Sequence, residues 1–294
     1  MDDRLTGAGC ALGAATAFGV TIVVQRSLAQ EDIPVTTVLG VRFGIAAALL
    51  FAALAIRGAA LAPVPGERLR AALLGVVGYA SEAGVFYLAL ARGSAGAVAL
   101  LFYAYPALVV ILEIALRSQP LRLRTVTALA LSSIGAVLVV LAGDEVSITG
   151  TGIALALTAA ACFSVYLIAS NRLIRRSGAR VTAAWVAGGA SVALLVVGVV
   201  TVGVDVPADA RARLLLNGVA TAVAFALLYA ALPRLGAGPT AVVMTMEAFV
   251  ALVLGAALLD ERIAVRQVAG GLGIIAGAAL VSTGRTTTKA PPAP

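Results

Sequence analysis

Four ionisable side chains fall inside long apolar stretches of this chain: Arg42, Glu82, Glu113 and Glu247. A charge held at bilayer depth is costly, so each is expected to serve a partner, a substrate or a proton. Arg42 follows Pro34 by 8 residues, ~12 Å into its segment at ~1.5 Å per residue. Glu82 precedes Arg92 by 10 residues, ~15 Å deep by the same rise. The matching depths allow an Arg42–Glu82 pair if their segments touch. That pair either holds two helices together as a neutralised couple or handles a ligand. Glu247 lies ~14 Å from the nearer end of its stretch, close to mid-span, where a carboxylate can exchange a proton or meet a substrate ammonium. Glu113 is only ~5 Å from an end and can reach the interface, where Arg117 follows at i+4, so it reads as an ordinary boundary ion pair.

Weaker candidates come from helical spacing. Tyr79, Glu82 and Phe86 share one face, Thr158, Cys162 and Tyr166 a second, and Asn217 and Thr221 a third. Tyr103 and Tyr105 flank the centre of another stretch. Each can contact a ligand, but residues of this kind are more often the polar glue found between packed helices. Pro106 removes a backbone donor in mid-stretch and marks a flex point. Gly9 and Gly13, Gly40 and Gly44, and Gly273 and Gly277 are spaced for close helix contact. Cys10 and Cys162 read as small hydrophobes, and Trp185 as an interfacial anchor. The chain has no histidine, no P-loop, no metal-ligand cluster and no Ser/His/Asp set. Those absences argue against ATP hydrolysis and triad or metal catalysis, and they imply no cofactor.

The elements that must position these residues follow from composition. The chain is 61% hydrophobic and 12% charged, with a mean hydropathy of +1.06. A water-soluble domain is about 25% charged, so lipid is the solvent here. In lipid the backbone must satisfy its own hydrogen bonds, which leaves helices or closed barrels. Ten apolar runs, roughly 5–28, 34–56, 69–91, 95–116, 123–142, 150–173, 181–203, 212–233, 238–259 and 264–283, lack strand alternation. At about 20 residues apiece they are long enough to cross ~30 Å of hydrocarbon as helices. The first is too long for a signal-peptide core and is read as a retained span. Turn and charge signals fill the gaps at Glu31 to Pro34, Pro63 to Arg70, Gly143 to Glu145 and Arg172 to Arg180. Residues 284–294, polar and Pro-rich, are expected to be disordered.

The net charge of +7 sets orientation rather than nucleic-acid binding, because the basic residues lack aromatic interleaving and sit between spans. With the N-terminus cytoplasmic, the inner segments hold 14 Lys and Arg and the outer loops 6. That asymmetry predicts an inner-membrane, multi-pass protein with both termini cytoplasmic.

The halves resemble each other when the second is laid on the first with Tyr229 over Tyr87. In that register Tyr87, Arg92 and Gly96 match Tyr229, Arg234 and Gly238, while Arg124 and Gly135 match Arg266 and Gly277. Five spans per half is odd, so the second half enters from the opposite side. The expected fold is all-α and integral to the membrane: ten transmembrane helices as two inverted five-helix repeats, 1–142 and 150–283.

Specific motifs add to this pattern. Ser94-Ala95-Gly96-Ala97-Val98-Ala99-Leu100-Leu101-Phe102-Tyr103-Ala104-Tyr105-Pro106 resembles the fourth-span signature of the EamA family of the drug/metabolite transporter superfamily. Met246-Glu247-Ala248-Phe249 stands where that family often reads LEPVFA, and Leu259 to Ile263 resembles its LGERL ending. Arg42-Phe43 is similar to its early Arg-Phe. The departures are Ala248 for proline, Arg117 to Leu121 for the first LGERL, and Glu113 for a usual glycine. Ala248 predicts a ninth helix straighter than the fourth.

The resemblance implies a central cavity lined by the first, third, fourth, sixth, eighth and ninth helices. It implies a secondary transporter exporting amino acids, related amphiphiles or drugs by alternating access, with Glu82, Glu247, Tyr79, Phe86, Tyr103, Tyr166, Asn217 and Thr221 as substrate contacts. Partners are then a small-molecule substrate, membrane lipid and protons as a coupling ion. A membrane-embedded enzyme on lipid-linked substrates would show Asp, His or Arg clustered at one membrane face, and no such cluster occurs. A scaffold or chaperone subunit would fail to move any substrate in vesicles.

Overall fold

A computed structural model describes residues 3–28, 33–116, 123–141, 147–201, 206–259 and 264–282. Among the described residues, ten helices are long and apolar enough to cross a membrane. They are α1 (Asp3–Gln25), α2 (Val35–Ile56), α3 (Arg68–Leu90), α4 (Gly96–Ala115), α5 (Leu123–Leu141), α6 (Gly150–Ser177), α7 (Ala179–Val200), α8 (Ala208–Leu235), α9 (Ala237–Leu258) and α10 (Val265–Ser282). Ten passes put Asp3 and Ser282 on one face of the protein, called here the N-terminal face. The expected turns at 31–32 and 143–145, the segments at 117–121 and 260–263, and the tail lie outside the described residues.

Helix pairing carries the inverted repeat. Exchange α1–α5 for α6–α10 and the main contacts map onto one another. α1 packs on α8 as α3 packs on α6; α2 meets α8 as α3 meets α7; α1 meets α9 as α4 meets α6. The pairs α2–α7, α4–α9 and α5–α10 map onto themselves and so mark the pseudo-two-fold axis. This exchange symmetry shows a pseudo-two-fold relation, and five spans per half, an odd number, give the two halves opposite topology.

Close approach along the axis rests on glycine. A Cβ on Gly135 of α5 would collide with the Gly270 carbonyl of α10, and one on Gly270 with the Gly135 carbonyl. With no hydrophobic drive between helices in lipid, such contact is what holds them. Gly13, Gly40, Gly44, Gly273 and Gly277 also face neighbours, as their spacing suggests. Gly9 does not: a Cβ there meets nothing within 4 Å.

Three spans depart from regular helix. In α3, residues Leu74–Tyr79 form a π-helical turn where Gly75 crosses Gly189 of α7. α4 breaks at Tyr103 and Ala104, and Pro106 opens its second segment. Ala248 in place of proline predicts a straighter α9, yet this helix too is interrupted, between Met244 and Met246. The cause is Thr245, whose hydroxyl donates to the Val242 carbonyl (2.7 Å) while its amide turns to the same oxygen. Hydroxyl back-bonding of this kind tightens and bends a helix without proline. Tyr103 and Thr245 are equivalent in the repeat register, so both halves break at the same place.

Loops tie the two halves at both faces. Opposite the N-terminal face, Ser94 caps α4 and Thr149 caps α6, each accepting from an amide three residues on. Their loops join through an isolated Gly93–Ile148 bridge and the Ser94 N–H to Ser147 carbonyl bond (2.7 Å). On the N-terminal face, Glu67 before α3 takes Arg176 from the end of α6 (2.7 Å) and Arg70 (2.8 Å).

Candidate functional site

The irregular turns deliver the polar side chains. A π-helical turn offsets the residues that follow it, and such turns recur at functional sites. Here it ends on Tyr79 and sets Glu82 one turn further, both buried. The Thr245 break likewise precedes Glu247, which is half-buried. Arg42, buried on α2, completes the group. Its guanidinium acts electrostatically on both carboxylates, and Glu247 and Glu82 act on each other. Tyr79 lies within the field of all three.

The geometry revises the expected Arg42–Glu82 pair. α7 packs against both α2 and α3, whose backbones make little contact with each other, so only long side chains cross from one to the other. The guanidinium Nη2 instead donates to the Tyr79 hydroxyl at 3.5 Å, and its carbon sits 4.7 Å from the Phe43 ring centre, a cation–π contact. Arg42 Nε, also buried, has no protein partner among the described residues. Arg42 and Glu82 therefore belong to one electrostatic cluster without direct contact. With all groups ionised, one guanidinium faces two carboxylates, and the cluster carries a single net negative charge.

Aromatic rings from both halves enclose the cluster. Tyr79 packs edge-on against Phe43 (4.7 Å), Tyr166 (5.4 Å) and Phe225 (5.6 Å). Tyr166 shares a hydroxyl hydrogen bond with Tyr229 (2.8 Å), which also meets Ser170 (3.2 Å). From Tyr166 the rings run through Phe163 to Tyr105 (4.9 Å) and Phe102 (5.5 Å), and Phe102 touches Phe86 (5.2 Å) and Tyr103 (6.5 Å). The chain has 8 Phe and 6 Tyr, and most of them join this one train, so the aromatics are placed for contact rather than scattered for bulk. Alternating edge-to-face contacts suit both a packed core and an apolar ligand surface.

Of the residues expected from sequence, Arg42, Tyr79, Glu82, Glu247 and Tyr166 come together, with Phe86 and Tyr103 at the far end of the ring train. Asn217 and Thr221 are fully buried on α8. The Thr221 hydroxyl is spent on the Asn217 carbonyl (2.7 Å), whereas both polar atoms of the Asn217 side chain lack protein partners among the described residues. Phe43 and Phe102, which lie in the family-like motifs, join the site, and so do Phe163 and Phe225, which have no signal of their own in the sequence. A lone Phe in an apolar run carries no periodicity. Glu113 is buried rather than at the interface, and its carboxylate accepts from the amides of Ala237 and Gly238, while Arg117, its expected partner, lies outside the described residues. It thus caps the first turn of α9, whose free N–H groups favour an anion.

Comparison with known proteins agrees with this architecture. No characterised protein matches the sequence significantly. Among solved structures, one crystal structure superposes with a TM-score of 0.82 at 18% identity, covering 93% of this chain and 95% of the other. At that identity the likeness shows the fold alone. The EamA-like transporter family matches twice, over residues 5–141 and 150–283, one match per inverted half. Two such matches cover nearly the whole chain, which therefore belongs to the EamA-like transporter family.

Proposed function

We propose that the chain is a secondary transporter that exports small amphiphiles, amino acids or close relatives, by alternating access between its two halves. One observation carries this reading. Both halves contribute to a single mid-span charge cluster: Arg42, Tyr79 and Glu82 from the first, Glu247 from the second. Rocking the halves would open that cluster to each face in turn. A substrate ammonium would neutralise the excess carboxylate, a substrate carboxylate would meet Arg42, and the ring train would take an apolar side chain. Glu82, Glu247, Tyr79, Phe86, Tyr103, Tyr166 and Asn217 are the contacts, and Pro106 with Thr245 supplies matched flex points. Thr221, bonded to its own helix, serves packing. The excess of basic residues on the N-terminal face supports an inner-membrane location with that face cytoplasmic.

A proton-coupled exporter of cationic drugs is the second reading, favoured by the same net negative cluster and aromatic lining. Counterflow of radiolabelled amino acids and of lipophilic cations in proteoliposomes separates the two. Glu247→Gln is the sharper probe. If protons couple, transport by the variant loses its pH dependence while substrate binding persists; if Glu247 holds the substrate, binding itself falls. Failure of every substrate in both panels would overturn the transport reading.

A further inference from the structure

On the N-terminal face a cavity of about 530 Å³ opens between the end of α2, the start of α7 and the last turns of α8. It shares no residue with the mid-span cluster. Its inner wall is apolar, with Leu50 and Ala226, and three cations stand around it: Arg57, Arg180 and Arg234. Asp3 already holds Arg234 (3.1 Å). Arg57 uses one Nη only on its own helix, at the Ala53 carbonyl (3.2 Å), and among the described residues no carboxylate pairs with Arg57 or Arg180. Two further features point the same way. The first turn of α7, Ala179 to Val181, lines the cavity, and a long helix's N-terminus favours an anion. The Ser177 hydroxyl, buried at the wall, has no protein partner among the described residues.

Depth identifies the ligand. Trp185 lies one and a half turns into α7 and donates its indole N–H to the Leu61 carbonyl (2.8 Å). An amphipathic aromatic of this kind marks the headgroup level of a bilayer. The cavity therefore has cations at headgroup height and hydrocarbon below, the two halves of a phospholipid. Basic pockets between spans suit such headgroups, and guanidinium grips phosphate oxygens in pairs. We infer that this cavity is a binding site for an anionic phospholipid, its phosphate held by Arg57, Arg180 and Ser177 and its acyl chain lying along Leu50 and Ala226. A lipid wedged between α2, α7 and α8 would brace the contact of the two halves on this face.

Native mass spectrometry of the full chain in detergent tests this with phosphatidylglycerol, cardiolipin and phosphatidylcholine as probes. Retention of the anionic lipids at least tenfold above phosphatidylcholine is expected. Arg57→Gln/Arg180→Gln should abolish that preference, and Ala226→Trp, which fills the groove but keeps the charges, should do so too. Arg172→Gln/Arg175→Gln, on the same face outside the cavity, should leave it intact. Each variant must elute as a single folded species in size-exclusion chromatography, and the two independent ways of blocking the site guard against a fold defect in one. An equal loss in the Arg172/Arg175 variant would overturn the site in favour of diffuse surface charge. Full displacement by inorganic phosphate at equal concentration would overturn the lipid and leave a free-anion site.

Discussion

Glu67 and Asp209 are equivalent in the repeat register, one just before α3 and the other in the first turn of α8, and they do different work. Glu67 is buried and joins the halves through Arg176, while Asp209 is exposed and, among the described residues, pairs with Arg213 of its own helix at 3.8 Å. The same divergence runs through the core. Tyr229 is fully buried in a hydroxyl network, and its counterpart Tyr87 is exposed. Glu82 corresponds to Ala224 and Glu247 to Tyr105. The repeats share backbone and the break of α4 and α9, but each mid-span charge, Arg42, Glu82 and Glu247, is present once. Symmetry supplies the scaffold and the flex points, and asymmetry supplies the chemistry.

The sharpest way to break this comparison is to exchange roles at mid-span. Glu247→Gln should slow counterflow roughly 10- to 100-fold, since a lost charged contact is worth ~1.5–3 kcal/mol and each ~1.4 kcal/mol is tenfold. Tyr105→Phe, at the equivalent place, loses only a long bond to the Ala241 carbonyl (3.4 Å) and should cost a few-fold at most. Equal effects would mean that the two positions are functionally equivalent after all.

Scaffold glycines come next. Gly135→Leu should lower stability by ~1–3 kcal/mol, the usual cost of overpacking, seen as a lower melting temperature in detergent. Gly277→Leu, its repeat partner, should match it, and Gly9→Leu should be silent. A tolerated Gly135→Leu would remove the close α5–α10 crossing from the account of stability.

The flex points are subtler. Pro106→Ala and Thr245→Val each remove what keeps a break open, and each should slow transport by a few-fold at unchanged expression. Normal rates in both would refute a hinge role.

The smallest effect is at Glu67. Its hydrogen bond to Arg176, then the charge of Arg70, hold its carboxyl below the ordinary value near 4.5. A carboxylate lowered on folding stabilises above its unfolded pKa, and that contribution is lost as pH falls through the folded one. Melting temperature should therefore drop on acidification below about pH 4.5, and Glu67→Gln should flatten part of that slope. An unchanged slope would leave the Glu67–Arg176 tie without weight.

Much of this was legible in the chain itself. Length and greasiness of ten runs dictate ten helices, because an unsatisfied backbone is intolerable in hydrocarbon, and an odd number per half dictates inversion. The intramembrane charges also announced themselves, since their cost makes them conspicuous. What tertiary packing alone decided was who meets whom. Arg42 reached across to Tyr79, at the end of the π-helical turn of α3, rather than to Glu82 one turn further along the same helix. Glu113 turned inward to cap α9, because the α4–α9 contact brought free amides within its reach. Thr245 broke α9 where proline was missing, through a hydroxyl bond that residue type permits but does not compel. The scattered phenylalanines became one train of rings only when five helices converged. Local sequence sets what each segment can do in lipid, and the choice of partner is made by distances that only the assembled helices define.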